Sequence, residues 1–184
     1  MRRHVLARIA GLFYALNFLL GGLALTLMAK GPTPAAEAIT VAAAADYAIV
    51  VLLLGRLFEP AGRGLSWAVA AAGLAGSALS VVGPLHLFTS PVNALALFGA
   101  YCLGVGLLIL RSQLMPRWIG IFLMLGGLSW LTFISPGLAK NLAPYNMAPG
   151  AIAELIFTLW LLAVGVRAPA SRTSSAGDLN RSVS

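Results

Sequence analysis

Six long apolar segments, separated by short polar stretches, make up most of the chain. They are residues 5–29, 35–58, 65–87, 92–110, 118–134 and 149–166. A helix rises about 1.5 Å per residue, so each segment is long enough to cross a hydrocarbon core about 30 Å thick, the last two only just. Backbone amides in lipid must be hydrogen-bonded within their own segment, so each segment is expected to be helical. The pattern predicts an all-α, polytopic membrane helix bundle with six transmembrane helices.

The polar breaks between the segments carry helix-start and turn signals. Thr33 is a candidate N-cap, with Pro34 at the first helical position after it. Pro116 and Pro149 also stand where helices are expected to begin, and the glycines and proline of residues 59–64 predict a tight turn. Such short connections predict that successive helices are antiparallel neighbours.

The basic residues predict how the chain is oriented. If the N-terminus is cytoplasmic, only Lys30 and Lys140 fall on the outer side. The inner side then holds Arg2, Arg3, Arg8, Arg56, Arg63, Arg111, Arg117, Arg167, Arg172 and Arg181. This bias in short loops follows the positive-inside rule, so both termini are expected in the cytoplasm. Residues 1–167 are predicted to form one transmembrane domain, with an uncleaved first span, and residues 168–184 a polar cytoplasmic tail.

The composition narrows the possible functions. Of 184 residues, 60% are hydrophobic and 9% are charged, whereas soluble domains average about 25% charged residues. Six spans of about 20 residues leave no room for a separate soluble catalytic domain. The net charge of +7 comes from single basic residues between apolar runs, which indicates membrane topology rather than nucleic-acid binding. Cys102 is the only cysteine, so this chain alone forms neither an intrachain disulfide nor a cysteine-based metal site.

Asp46 and Asn17 are the leading candidates for a functional role, because polar and ionisable groups at membrane depth are costly. Asp46 lies near the centre of the second segment, and Asn17 lies at similar depth in the first. One interpretation is a proton- or cation-binding carboxylate, or a contact to another ligand. The other is an interhelical hydrogen bond between the two side chains that serves packing alone.

Two more candidates are predicted toward the outer side. Glu154 is expected about one turn below the surface, as a ligand or proton group or as a helix-terminal contact or packing hydrogen bond. Lys30, His86, Lys140 or Asn146 is the partner it could meet there. His86 is a candidate ligand contact, but His4 is predicted on the opposite side, so the two histidines are not expected to hold a haem together. Trp130 is expected in the outer aromatic belt.

Arg8, Arg111 and Arg117 are candidate lipid-headgroup contacts on the inner side, because arginines beside a helix start can hold a phosphate. The alternative is that they only set topology. The sequence carries no H-E-x-x-H, G-x-S-x-G or Walker A pattern. We therefore predict no catalytic residue, no metal site and no cofactor.

Three stretches resemble the motifs of one protein family. They are RIAGLFY at residues 8–14, LLILRSQLMPRWIG at residues 107–120 and AELIFTLWLLAVGV at residues 153–166. The family is domain of unknown function 4386, a group of bacterial multi-span membrane proteins, and the resemblance extends over roughly residues 5–167. It implies a bacterial inner-membrane protein without implying an activity. The signature positions are Arg111, Pro116, Arg117, Glu154 and Trp160.

Three functions fit these observations. The favoured one is a non-catalytic structural or accessory subunit of a membrane complex, whose partners are lipids and other membrane subunits or a second copy. Small residues that recur at helical spacing suit such packing. The alternative is a small proton-coupled transporter or channel that uses Asp46 and Glu154. A lipid- or quinone-handling membrane protein built around the three inner arginines is the third.

Overall fold

Every regular element that the structure describes is a helix. The computed structural model describes residues 3–87 and 92–166. Its helices are α1 (Arg3–Met28), α2 (Pro34–Phe58), α3 (Arg63–Ser80), α4 (Ala94–Ser112), α5 (Arg117–Leu131), α6 (Pro136–Leu142) and α7 (Ala148–Ala163). Single 3₁₀ turns, Glu59–Ala61 and Thr132–Ile134, follow α2 and α5. The all-α prediction is confirmed.

The six long helices coincide with the six apolar segments, and the differences lie at the ends. The third helix stops at Ser80 rather than at residue 87, because residues 81–86 form turns that end with His86 at a φ of 51°. Helix α6, which occupies the last long connection, was not predicted from the sequence. Ser135 caps this short helix by accepting a hydrogen bond from the Leu138 amide.

The long helices form a closed ring in the order α1, α2, α3, α4, α5, α7. Each packs against its two neighbours, and α7 closes the ring between α5 and α1. Neighbours run in opposite directions: Gly55 of α2 faces Ala70 of α3, whereas Gly73, further along α3, faces Val51, earlier in α2. The predicted antiparallel arrangement is confirmed for this pair.

Local signals explain where the helices begin. The Thr33 hydroxyl accepts a hydrogen bond from the Ala36 amide at 3.1 Å, and Pro34 occupies the first turn of α2, as predicted. Helix α5 begins directly after Pro116. Helix α7 begins one residue before Pro149, which lies in its first turn. Prolines suit these positions because the first amides of a helix need no intrahelical partner.

Glycines let α4 and α5 approach to backbone contact. A Cβ placed on Gly99 would lie 2.8 Å from the carbonyl oxygen of Gly127, and a Cβ on Gly127 would lie 2.8 Å from that of Gly99. No side chain other than hydrogen fits at either position, so the predicted packing role of small residues holds here.

Within residues 3–87 and 92–166, four helices are by length and composition able to cross a membrane: α1, α2 with its 3₁₀ turn, α4, and α5 with the turn that follows it. Helix α7 is apolar but has only 16 residues. Helix α3 has 18 residues, but it is rich in small residues and is less hydrophobic than these four helices. Large apolar side chains such as Leu12, Leu19 and Leu25 cover the outside of α1. The molecule therefore has the character of a membrane-embedded helix bundle.

The charge asymmetry predicted from the sequence appears in the described residues. The arginines gather at one end of the ring, at the start of α1, α3 and α5 and at the end of α2 and α4. They are Arg3, Arg8, Arg56, Arg63, Arg111 and Arg117. Lys30 and Lys140 lie at the other end. Four further arginines and the predicted tail at 168–184 lie outside the described residues; the arginines are Arg2, Arg167, Arg172 and Arg181.

Candidate functional site

A buried carboxyl group, that of Glu154, is the centre of the interior polar cluster. The residue is only 9% exposed, and it shares the inward face of α7 with Phe157, Thr158 and Leu161. Its hydrogen-bond partners are none of the four outer-side residues expected from the sequence. That expectation was wrong, because the antiparallel ring turns this face of α7 toward α1, α4 and α5.

Three donors from three other helices converge on the Glu154 carboxyl group. The Tyr14 hydroxyl of α1 donates to Oε2 at 2.7 Å, and the indole Nε1–H of Trp130 on α5 donates to Oε1 at 2.7 Å. The Cys102 thiol of α4 donates more weakly to the same Oε1, with Sγ at 3.6 Å. One side chain thus ties α7 to three other helices of the ring.

Aromatic rings surround this carboxyl group and extend the hydrogen-bond chain to α2. The hydroxyl oxygens of Tyr47 and Tyr14 are 3.4 Å apart. Because Tyr14 gives its proton to Glu154, Tyr47 is the donor in this contact. The rings of Tyr14 and Tyr47 meet edge to face with centroids 5.6 Å apart, and Tyr101 lies against Tyr47 at 5.9 Å. We call Tyr14, Tyr47, Cys102, Trp130 and Glu154 the Glu154 cluster.

Trp130 reaches Glu154 because α7 carries a glycine where the indole passes. A Cβ on Gly150 would overlap the Trp130 ring. The indole is buried, with 8% of Trp130 exposed. The prediction of an outer-belt tryptophan was therefore wrong: the polar N–H of this side chain is directed at a buried acceptor rather than at the headgroups.

Asp46 and Asn17 lie together at the contact of α1 with α2, as their similar depth predicted. The Asn17 amide is beside the Asp46 carboxyl group, but its hydrogen bond goes to the backbone carbonyl of Ala43, at 2.8 Å. Asp46 is 6% exposed, and both of its carboxyl oxygens are buried without a hydrogen-bond partner. Its functional role stays a prediction.

His86 lies far from the Glu154 cluster, at the lysine end of the bundle. Its Nε2 is 3.4 Å from Oε1 of Glu37, at the start of α2, and the imidazole is 79% exposed. The contact is an ion pair only when the histidine is protonated. Exposed groups of this kind add little stability, so the contact is a surface link between the α3–α4 connection and α2.

The three candidate lipid-contacting arginines, Arg8, Arg111 and Arg117, are exposed at the arginine end. Beside them Trp118 and Trp160 pack edge to face, with ring centroids 5.8 Å apart. Their contact with lipid headgroups stays a prediction.

A narrow gap beside Tyr101, lined by apolar side chains such as Leu54 and Val105, is too small for a water molecule. Among residues 3–87 and 92–166 no three histidine, cysteine, aspartate or glutamate side chains lie close enough together to hold a metal ion.

Sequence reasoning missed the tyrosines of this cluster. Tyr14 and Tyr47 each fall near the middle of an apolar segment, and each carries a polar group on an apolar ring. Mid-segment tyrosines were the available signal, because a buried hydroxyl needs a hydrogen-bond partner. Which carboxyl group supplies that partner depends on helix packing, which a single sequence does not specify.

The chain was compared with known proteins. Residues 90–165 match the family described as Domain of unknown function (DUF4386), which confirms for this part of the chain the resemblance that the sequence motifs suggested. The match runs over α4–α7 and includes Cys102, Trp130 and Glu154. No curated protein matches the chain, and no solved structure matches it.

Proposed function

We propose that this protein is a non-catalytic structural or accessory subunit of a membrane complex in the bacterial inner membrane. The observation that supports the proposal is the convergence of Tyr14, Trp130 and Cys102 on Glu154. These polar groups form hydrogen bonds with one another across four helices. Interhelical hydrogen bonds in membranes contribute about 0.6 to 2 kcal/mol each and fix which helix faces match. The cluster therefore suits a rigid element on which other subunits assemble.

A second candidate function is a small proton-coupled transporter or channel. The observation that favours it is the buried Asp46 carboxyl group without a hydrogen-bond partner. Glu154, the other acidic residue assigned to that function, already accepts hydrogen bonds from three donors. We therefore rank the accessory role first.

The accessory role is tested by extracting the tagged protein at its native expression level directly into lipid nanodiscs. We expect another membrane protein to accompany it in a fixed molar ratio, measured by quantitative mass spectrometry. The amount of that partner should fall in cells that lack this protein. An unrelated multi-span protein at the same expression level is the control.

A flux measurement on the purified protein distinguishes the transporter function from the accessory role. Purified protein alone, reconstituted in vesicles with an internal pH dye, should leave an imposed proton gradient unchanged. A lone protein that dissipates the gradient, with the flux lost in Asp46→Asn, would contradict the accessory role and support transport.

The orientation is a separate expected result. With both termini cytoplasmic, Lys30 faces the periplasm and Arg63 the cytoplasm. In a Cys102→Ala background, Lys30→Cys should react with a membrane-impermeant maleimide in intact spheroplasts. Arg63→Cys should react only after the membrane is opened. The reverse pattern would place the termini outside. The native Cys102 is buried, so its removal eliminates slow background labelling.

A further inference from the structure

The two buried carboxyl groups of the bundle have opposite surroundings. Glu154 accepts hydrogen bonds from three side chains, whereas both oxygens of Asp46 are buried without any. An ionised carboxyl group needs donors or a nearby cation, and at membrane depth its unpaired charge is strongly unfavourable. A neutral carboxyl group is far less costly to bury.

In the part of the chain that the structure describes, the neighbouring helices place their charged side chains away from Asp46. From α1, the neutral Asn17 amide faces it; one N–H of that amide donates to the Ala43 carbonyl, and the second is the donor nearest to the Asp46 carboxyl group. The charged side chains of α1 and α3, Arg3, Arg8 and Arg63, lie near the starts of these helices, at the arginine end. The next residue along α2, Tyr47, has its hydroxyl against Tyr14 in the Glu154 cluster.

We propose that Asp46 is a proton-binding site at the contact of α1 with α2. The carboxylate takes a proton from hydronium, one O–H bond forms, and water is released; no electron transfer is involved. The neutral acid packs between the two helices. Loss of the proton leaves a buried charge that faces only a neutral amide and no cation among the described residues, so the α1–α2 contact weakens as the pH rises. This proposal does not depend on the accessory role.

Infrared spectroscopy tests the proton directly, because the chain has only two aspartates, Asp46 and Asp178. The full chain with Asp178→Asn is prepared in lipid nanodiscs at neutral pH, with and without carboxyl-¹³C aspartate. We expect an isotope-sensitive C=O stretch typical of a protonated acid, absent when Asp46→Asn is added. A label-sensitive carboxylate stretch alone would overturn the proposal.

Stability against pH gives a second readout. The folded protein keeps a proton that the unfolded chain releases, so the wild type should lose stability as the pH rises, by at most about tenfold in the folding equilibrium per pH unit. The difference between the wild type and Asp46→Asn isolates this group from every other ionisable residue. Parallel curves for the two proteins would overturn the proposal.

A third experiment distinguishes a proton-binding site from a site for a small cation. The wild type is measured in sodium, potassium and choline chloride at equal ionic strength. Equal stabilities in the three salts support a proton site. A stabilisation by sodium or potassium that is lost in Asp46→Asn would assign the site to that cation and overturn the proposal.

Discussion

Replacement of Glu154 by leucine should lower the free energy of unfolding by about 2 to 4 kcal/mol. Leucine fills much of the same space but accepts no hydrogen bond. The Trp130 indole N–H then has no acceptor, and a buried donor without a partner costs about 1 to 3 kcal/mol. Tyr14 loses its partner as well, although its hydroxyl can turn toward Tyr47.

Glu154→Gln is the matched variant and should lose less than about 1 kcal/mol, well below the leucine variant. The glutamine oxygen accepts from Trp130, and its NH₂ group donates to Tyr14, whose hydroxyl then donates to Tyr47. Both variants are measured by reversible unfolding in lipid, with Glu37→Leu at the bundle surface as the control. Equal losses for leucine and glutamine would show that acceptance of these hydrogen bonds is not what stabilises the ring.

Gly127→Ala should destabilise the bundle by about 1 to 3 kcal/mol, the usual range for overpacking. The new Cβ would meet the Gly99 carbonyl oxygen at 2.8 Å and the Leu103 amide nitrogen at 3.0 Å. These are backbone atoms, so no side-chain rotation relieves the contact and α4 must move away from α5.

Gly21→Ala is the control for Gly127→Ala, because a Cβ on Gly21 would meet nothing within 4 Å. Alanine favours a helix over glycine by about 1 kcal/mol in water, so this variant should lose no stability. Unfolding of both variants is measured under the same conditions. A Gly127→Ala protein as stable as Gly21→Ala would contradict the backbone contact between α4 and α5.

The helices were predictable because hydrophobic length and proline position are local properties of the sequence. Thr33 and Pro34 mark the start of α2, and Pro116 precedes α5. The end of α3 was not predictable from hydropathy alone, because Val81, Val82 and Leu85 continue the apolar run although residues 81–86 form turns. Helix α6 was missed because seven residues carry too little periodicity to distinguish a short helix from a loop.

The candidate site was predictable only where charge identified it. Asp46 and Glu154 are conspicuous as carboxyl groups in apolar segments. The side chains that donate hydrogen bonds to Glu154 could not be predicted, because they come from three helices that only the packing of the bundle brings together. Trp130 shows the difficulty: tryptophan near the end of a segment is typical of the interface, and only the gap left by Gly150, on another helix, turns it inward.

The short α7 has a consequence for the surrounding lipid. In a six-span arrangement its 16 residues rise only about 24 Å, less than a typical hydrocarbon thickness of about 30 Å. The Glu154 cluster fixes its position against α1 and α5, so α7 cannot slide to share the deficit. If α7 spans the bilayer, the acyl chains beside it would therefore have to shorten, and the resulting hydrophobic mismatch would give one side of the protein a preference for thin bilayers.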